Sequence, residues 1–344
     1  MFLLALMLSV PLANARGDRL PGKAGNGTLI VANMRDNTAS IIDIATRKTI
    51  ATLPTGAGPH EVAVSHDGRW AVISNYGVRG APGNSLTVID VTTATVARTI
   101  DLGSYQRPHS SAFLPGDATL VVTSEASRNL VLVNFATGQV ETVIPTNGGG
   151  SHMVALTSDG KRAWTANIGD GTVSELDIAG RKYVTTVQGA AGNEGMAVSP
   201  DGSRVWVGSN RVKTVTVIDT KTGTVAKSYP GFGFPYRMAV TPDGKVAVVC
   251  DPQTSKIHFY DAASLNETGV LDVPADGVLA TAEFAGQAAP EGIIMDRGGK
   301  YVYVALQGLG KVAEIDLATR TITGRMDTGN APDGIGYSQL TVRR

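Results

Sequence analysis

One short element recurs seven times along this chain, and that repeat limits the fold more than any other feature of the sequence. The copies read PHEVAVSHDG from Pro59, PHSSAFLPGD from Pro108, SHMVALTSDG from Ser151, NEGMAVSPDG from Asn193, PYRMAVTPDG from Pro235, PEGIIMDRGG from Pro290 and PDGIGYSQLT from Pro332. Counted from the second residue of each copy, neighbours stand 49, 43, 42, 42, 55 and 42 residues apart. Within a unit, the apolar stretch and its Asp-Gly-like turn lead into a β-rich strand, then an xVxVID segment and a TGxV turn. Four short strands on a period of about 42 are what a propeller blade requires. In the fourth unit the predicted strands run over 151–157, 162–167, 172–177 and 183–188. Residues 27–53 supply only three strands, and the last copy supplies the missing innermost one. The sequence therefore predicts an all-β fold: one seven-bladed β-propeller over 27–344, with four antiparallel strands per blade. The C-terminal strand closes the first blade, so no seam is left with an unpaired edge. Two insertions, 77–84 and 273–289, interrupt the period.

Composition agrees with that reading and removes several functions. Of the 344 residues 42 % are hydrophobic and 17 % charged, the latter below the usual share. Forty-one glycines, many in Asp-Gly pairs, mark frequent tight turns. Thirty basic residues balance thirty acidic ones with no basic block, which argues against a nucleic-acid partner. Residues 2–13 form an apolar run broken only by Ser9 and Pro11, and Ala13-Asn14-Ala15 follows as a small-x-small site. We expect a signal peptide over 1–15, a linker over 16–26 and export to the periplasm or the extracellular medium. The run is too short to stay as a bilayer span, so no stable membrane insertion is expected. Cys250 is the only cysteine, which excludes an internal disulfide; its place in KVAVVCD marks it as a buried small hydrophobe.

The chemistry collects at the second residue of each copy, where the innermost strand begins at one mouth of the channel. Around the ring this mouth position reads Asp333, His60, His109, His152, Glu194, Tyr236 and Glu291, and the next position reads Gly334, Glu61, Ser110, Met153, Gly195, Arg237 and Gly292. Three of only five histidines fall at this one position on consecutive blades. Chance placement would do so on the order of one time in ten thousand. Three imidazoles beside a carboxylate suit a divalent transition metal such as Zn, Fe, Cu or Ni, with His60, His109, His152 and Glu194 as ligands. Glu61 or Glu291 is expected as a general base and Arg237 as the group that orients an anionic substrate, with Tyr236 and Asp333 also lining its site. No organic cofactor is indicated. His66 and His258 occupy other repeat positions and receive no role. Trp70, Trp164 and Trp206 lie on strands and read as core; Asn33, Asn75, Asn167 and Asp251 end strands and read as turn formers.

The VAVSPDG-like turns, followed by strands ending in Asn as in TLIVAN, WAVISN and AWTAN, resemble the YVTN family of seven-bladed propellers over the whole chain after residue 26. The resemblance implies the fold and leaves function open, because that family includes scaffolds, binding proteins and relatives of enzymes. Streptogramin lyases and lactonase-type propellers are similar in setting His and Glu, or His, Glu and Arg, at the channel mouth; His152, Glu194 and Arg237 would be the matching trio. Two functions follow as expectations. One is a metal-dependent hydrolase or lyase acting on a small molecule. The other is a non-catalytic exported binding or scaffold protein that captures a small molecule or a protein partner on the same face.

Overall fold

The computed structural model describes residues 25–343, and the expected signal peptide and most of the expected linker lie outside them. Seven four-stranded antiparallel sheets make up the fold, with only two short 3-10 turns, Pro252–Thr254 and Gln307–Leu309. The fourth blade runs Ser151–Leu156, Arg162–Asn167, Thr172–Asp177 and Lys182–Gln188, within one residue of the predicted bounds. We name the strands of a blade A to D from the channel outward. Strand A of the first blade is the C-terminal Pro332–Ser338, paired with Thr28–Asn33 in the register Thr28↔Ser338 and Val31↔Ile335. The closure expected from the repeat is therefore present.

Strand B explains why the ring holds together. In Thr28–Asn33 every residue is buried, because each face of the sheet meets a different neighbour. Leu29 and Val31 pack with Tyr301 and Tyr303 of the seventh blade, while Ile30 and Ala32 pack with Ala71 and Ile73 of the second. The period-two alternation of a strand thus serves two interfaces at once. Seven apolar clusters result, one at each junction between blades. Each buried Val, Leu or Ile side chain contributes about 1.5–3 kcal/mol relative to an exposed one, which removes the need for a disulfide. Cys250 lies fully buried in the junction of blades six and seven, and Trp206 and Trp164 are core residues as expected.

The two insertions take different forms. Residues 77–84 lengthen strands B and C of the second blade, Trp70–Val78 and Ala81–Asp90, into a taller hairpin. Residues 273–289 hold no strand or helix. They lie over the histidine-bearing face: Phe284 packs on Phe234 at 5.2 Å, the Leu279 amide donates to the Gly308 carbonyl, and Arg35 of the first blade donates to the Thr281 carbonyl.

Candidate functional site

A bulge at the start of strand A builds the site. In the second blade Pro59 pairs with Asn75 and Val62 with Ile73, so His60 and Glu61 together face one residue of strand B. The same two-against-one shift falls at His109-Ser110, Glu194-Gly195, Glu291-Gly292 and Asp333-Gly334, and at His152 the extra residue stands alone. In the sixth blade regular pairing starts only at Met238, after Tyr236 and Arg237. Bulges re-aim side chains that a regular pleat would send to alternate faces. That is how six blades turn their mouth residues toward the axis. Glycine does the rest on one side of the ring. A Cβ on Gly292 would stand 1.9 Å from the Asp333 carbonyl oxygen, and one on Gly195 1.6 Å from that of Tyr236. Only residues without a Cβ allow neighbouring A strands this close, and this brings Glu291 beside the Asp333 backbone.

The charged half of the ring is locked into ion pairs. His152 gives Nδ1 to Glu125 at 2.7 Å and Nε2 to Glu194 at 2.7 Å. Burial alone would push His152 down, but the Glu194 charge and the bonds to both carboxylates lift it to about 9. Burial likewise favours a neutral Glu194, yet His152 and Arg237 hold its carboxyl down at about 2. Arg237 reaches across the channel, its Nε 2.5 Å from Glu61 and its Nη1 3.4 Å from Glu194. With only 3 % of its side chain exposed, it remains a cation because carboxylates flank it.

The other half is unpaired. Asp333 is 1 % exposed and neither of its carboxylate oxygens has a hydrogen-bond partner. Its neighbour Glu291 is buried, and that burial, followed by the charges of Asp333 and Glu283, pushes its carboxyl well up, toward the protonated form. His109 is 1 % exposed with Nδ1 unpartnered. Burial first, then the positive charge of His152, holds it well below the ordinary histidine range, so it is neutral. Its ring lies 3.6 Å from that of His152 and 5.0 Å from that of His60. His60 has Nδ1 3.0 Å from the Gly58 carbonyl and stacks on Tyr76 at 4.5 Å.

All the residues expected at the mouth are therefore gathered there. His152 and Glu194 are engaged with each other and with Glu125 and Arg237, so His60, His109, His152 and Glu194 do not surround one ion as they stand. Among the described residues no group of three or more His, Cys, Asp or Glu side chains is placed to hold a metal. Glu61 is held by Arg237, whose three nitrogens are bonded to Glu61, Glu194 and the Tyr236 hydroxyl. Sequence reasoning missed a second layer: Tyr76 donates to Glu125 at 2.8 Å and Asn210 donates to Glu194 at 2.7 Å. Glu125 and Asn210 directly follow the last residue of a B strand, and Tyr76 holds the same repeat position within the lengthened strand B of the second blade, so the register that revealed the histidines would have revealed them too. Asn33, Asn75 and Asn167 bind their own hairpins; Asn33, for example, donates to Thr38 and Ser40.

Comparison with known proteins adds the family. Among solved structures, hydrazine synthase from Kuenenia stuttgartiensis superposes with a TM-score of 0.67 at 21 % identity, covering 80 % of this chain and 88 % of that one. A functionally unknown protein from Desulfotomaculum acetoxidans superposes with a TM-score of 0.74 at 14 % identity, covering 91 % and 99 %. Likenesses this remote carry the fold alone. No curated protein matches the chain. The propeller implied by the YVTN resemblance is present, and the family matched in sequence is the cytochrome D1 heme domain, over residues 114–341. That span is most of the propeller, and the chain belongs to the cytochrome D1 heme domain family.

Proposed function

We propose that this chain is an enzyme that acts on a small molecule at the channel mouth by proton transfer, as a hydrolase or a lyase. The supporting observation is a set of buried groups at one mouth that stand outside the ion-pair network, Asp333 and His109 with unpartnered atoms and Glu291 beside them, where burial drives the Glu291 carboxyl up and the His109 ring down. Groups whose surroundings drive their proton affinities in opposite senses mark the acid and the base of a site. Glu291 is the proton donor in this reading rather than the base expected from sequence, and His109 is the acceptor. They stand on the seventh and third blades, so a substrate lying across the mouth meets both. Asp333 and Tyr236 line its path, while Glu61, Arg237, Glu194, His152 and Glu125 hold the wall in place. The same reading places the reaction in the periplasm or outside the cell; among the described residues no helix is long and apolar enough to cross a membrane.

The family name carries a heme, an organic iron cofactor that the sequence reading did not include. His60 could offer its iron a ring nitrogen, since only Nδ1 is bonded. The remaining residues do not fit. A heme's own carboxylates need cations, and the buried ones here, Arg237 and His152, are each bonded to two carboxylates, while Arg107 lies over the Tyr76 ring beside Glu125. The unpaired groups on the opposite side are acids, Asp333 and Glu291. No step is therefore assigned to a heme.

The test is a screen of small esters, lactones and elimination substrates with and without a chelator, beside absorption spectra and elemental analysis of the purified chain. We expect turnover that survives chelation in a protein without heme absorption. Turnover abolished by chelation, or one equivalent of metal lost in a His60→Ala/His109→Ala variant, would restore the metal centre and overturn this reading. Ligand binding without turnover of any class would leave the binding-protein reading.

A further inference from the structure

We propose that the ligand of this mouth is a small organic cation carrying a primary ammonium group, held by Asp333. The inference deepens the reading above and rests on the same site. Asp333 is almost wholly buried and neither oxygen has a partner, an arrangement that is costly to leave unmade and that points to a group bound there. The surroundings fix the sign of that partner. Among the buried groups, the carboxylates Glu61, Glu125, Glu194 and Asp333 face two cations, Arg237 and His152, and both are already bonded to the other three acids; the less buried Arg107 acts on Glu125 and Arg35 on Glu283. Glu283, on the 273–289 insertion, adds a further acid close enough to raise Glu291.

His109 is the second, independent sign of a ligand. Its Nδ1 is buried and unpartnered, and as a neutral ring it accepts a hydrogen bond as readily as it gives one. An ammonium has three donors, which match a carboxylate and a neutral ring nitrogen without requiring that all donors converge on one point. A metal ion makes that demand, and the described residues do not meet it. Phe234, Phe284 and Tyr236 form an aromatic run beside Arg237, with ring centroids 5.2 and 5.8 Å apart, and can cover the apolar remainder of the ligand. Small ammonium ions combine a charge that Asp333 lacks with the size that a closed channel mouth admits.

The experiment is calorimetric titration of the whole chain with methylammonium and 1,4-diaminobutane, with methanol and 1,4-butanediol as uncharged counterparts, and with zinc and magnesium chlorides. We expect one equivalent of amine to bind, the alcohols not to bind, and Asp333→Asn to weaken the amine by about tenfold or more. Equal affinity for amine and alcohol on the unaltered chain would overturn the proposal, even if the variant failed to fold. So would amine binding indifferent to Asp333→Asn, or a metal ion that binds through Asp333 and excludes the amine. Amine binding together with no turnover in the screen of esters, lactones and elimination substrates leaves this inference standing and removes the catalytic reading. Turnover of uncharged substrates that Asp333→Asn does not change does the reverse.

Discussion

Replacing His152 by leucine is expected to cost about 3–5 kcal/mol of folding stability, the usual result of removing one partner from a buried ion pair. The imidazolium stands between Glu125 and Glu194, both within 2.7 Å, and leucine would leave Glu125 without its ion-pair partner and Glu194 with Arg237 alone, in a largely buried site. His60→Leu removes only one bond to a carbonyl and a stacked contact, and should cost about 1 kcal/mol. Denaturant unfolding of both variants measures the difference. The pH dependence carries the same signature. Because folding raises His152 from 6.5 to about 9, its contribution is fully present below 6.5 and is lost as the pH rises through about 9. Because folding lowers Glu194 from 4.5 to about 2, its contribution is present above 4.5 and is lost as the pH falls through about 2. The pair therefore stabilises most between about 4.5 and 6.5, and the part of the alkaline decline that His152 contributes, between 6.5 and about 9, should disappear in His152→Leu. Equal, small losses in both variants would show that the His152 lock is not a structural element.

Glu291→Gln is expected to lower turnover by about a hundredfold to ten-thousandfold, the range for loss of a general acid, while leaving the fold at least as stable. An amide matches a protonated carboxyl in shape and charge but cannot give up a proton in the reaction. The stability sign follows from linkage. A carboxyl raised in the folded state contributes fully only below its unfolded value of 4.5, and that contribution is lost as the pH rises. At neutral pH the native glutamate therefore costs stability that glutamine does not, so Glu291→Gln should raise the unfolding midpoint as it removes activity. Such an exchange of stability for function is the mark of an active-site group. A variant that keeps its rate, or that loses both rate and stability, would assign Glu291 to the structural wall with Glu194.

The repeat made the fold readable because a propeller writes one pattern seven times, and register turns scattered residues into ring neighbours. The same register placed His60, His109, His152, Glu194, Tyr236, Glu291 and Asp333 at one mouth before any coordinates. What it could not reveal was which of them are already satisfied. Arg237 and Glu61 are 176 positions apart in the chain and meet only because the channel is narrow enough for a guanidinium to cross. Glu125 was hidden for a simpler reason: its position opens the B–C loop, outside the strand in which the search for functional groups began. The expected metal set rested on residue type, and imidazole nitrogens look alike in a sequence whether free or bonded. Three-dimensional pairing moved His152 from ligand to buried cation, and it moved the open chemistry to the Asp333, Glu291 and His109 side of the ring.

Infrared difference spectroscopy of the chain against its Glu291→Gln variant at neutral pH tests most directly the claim on which the rest depends. The account predicts a protonated carboxylic C=O band in the unaltered protein that the variant lacks. If the difference spectrum instead shows only the bands of an ionised carboxylate, Glu291 carries a charge, and the ring holds no acid to donate.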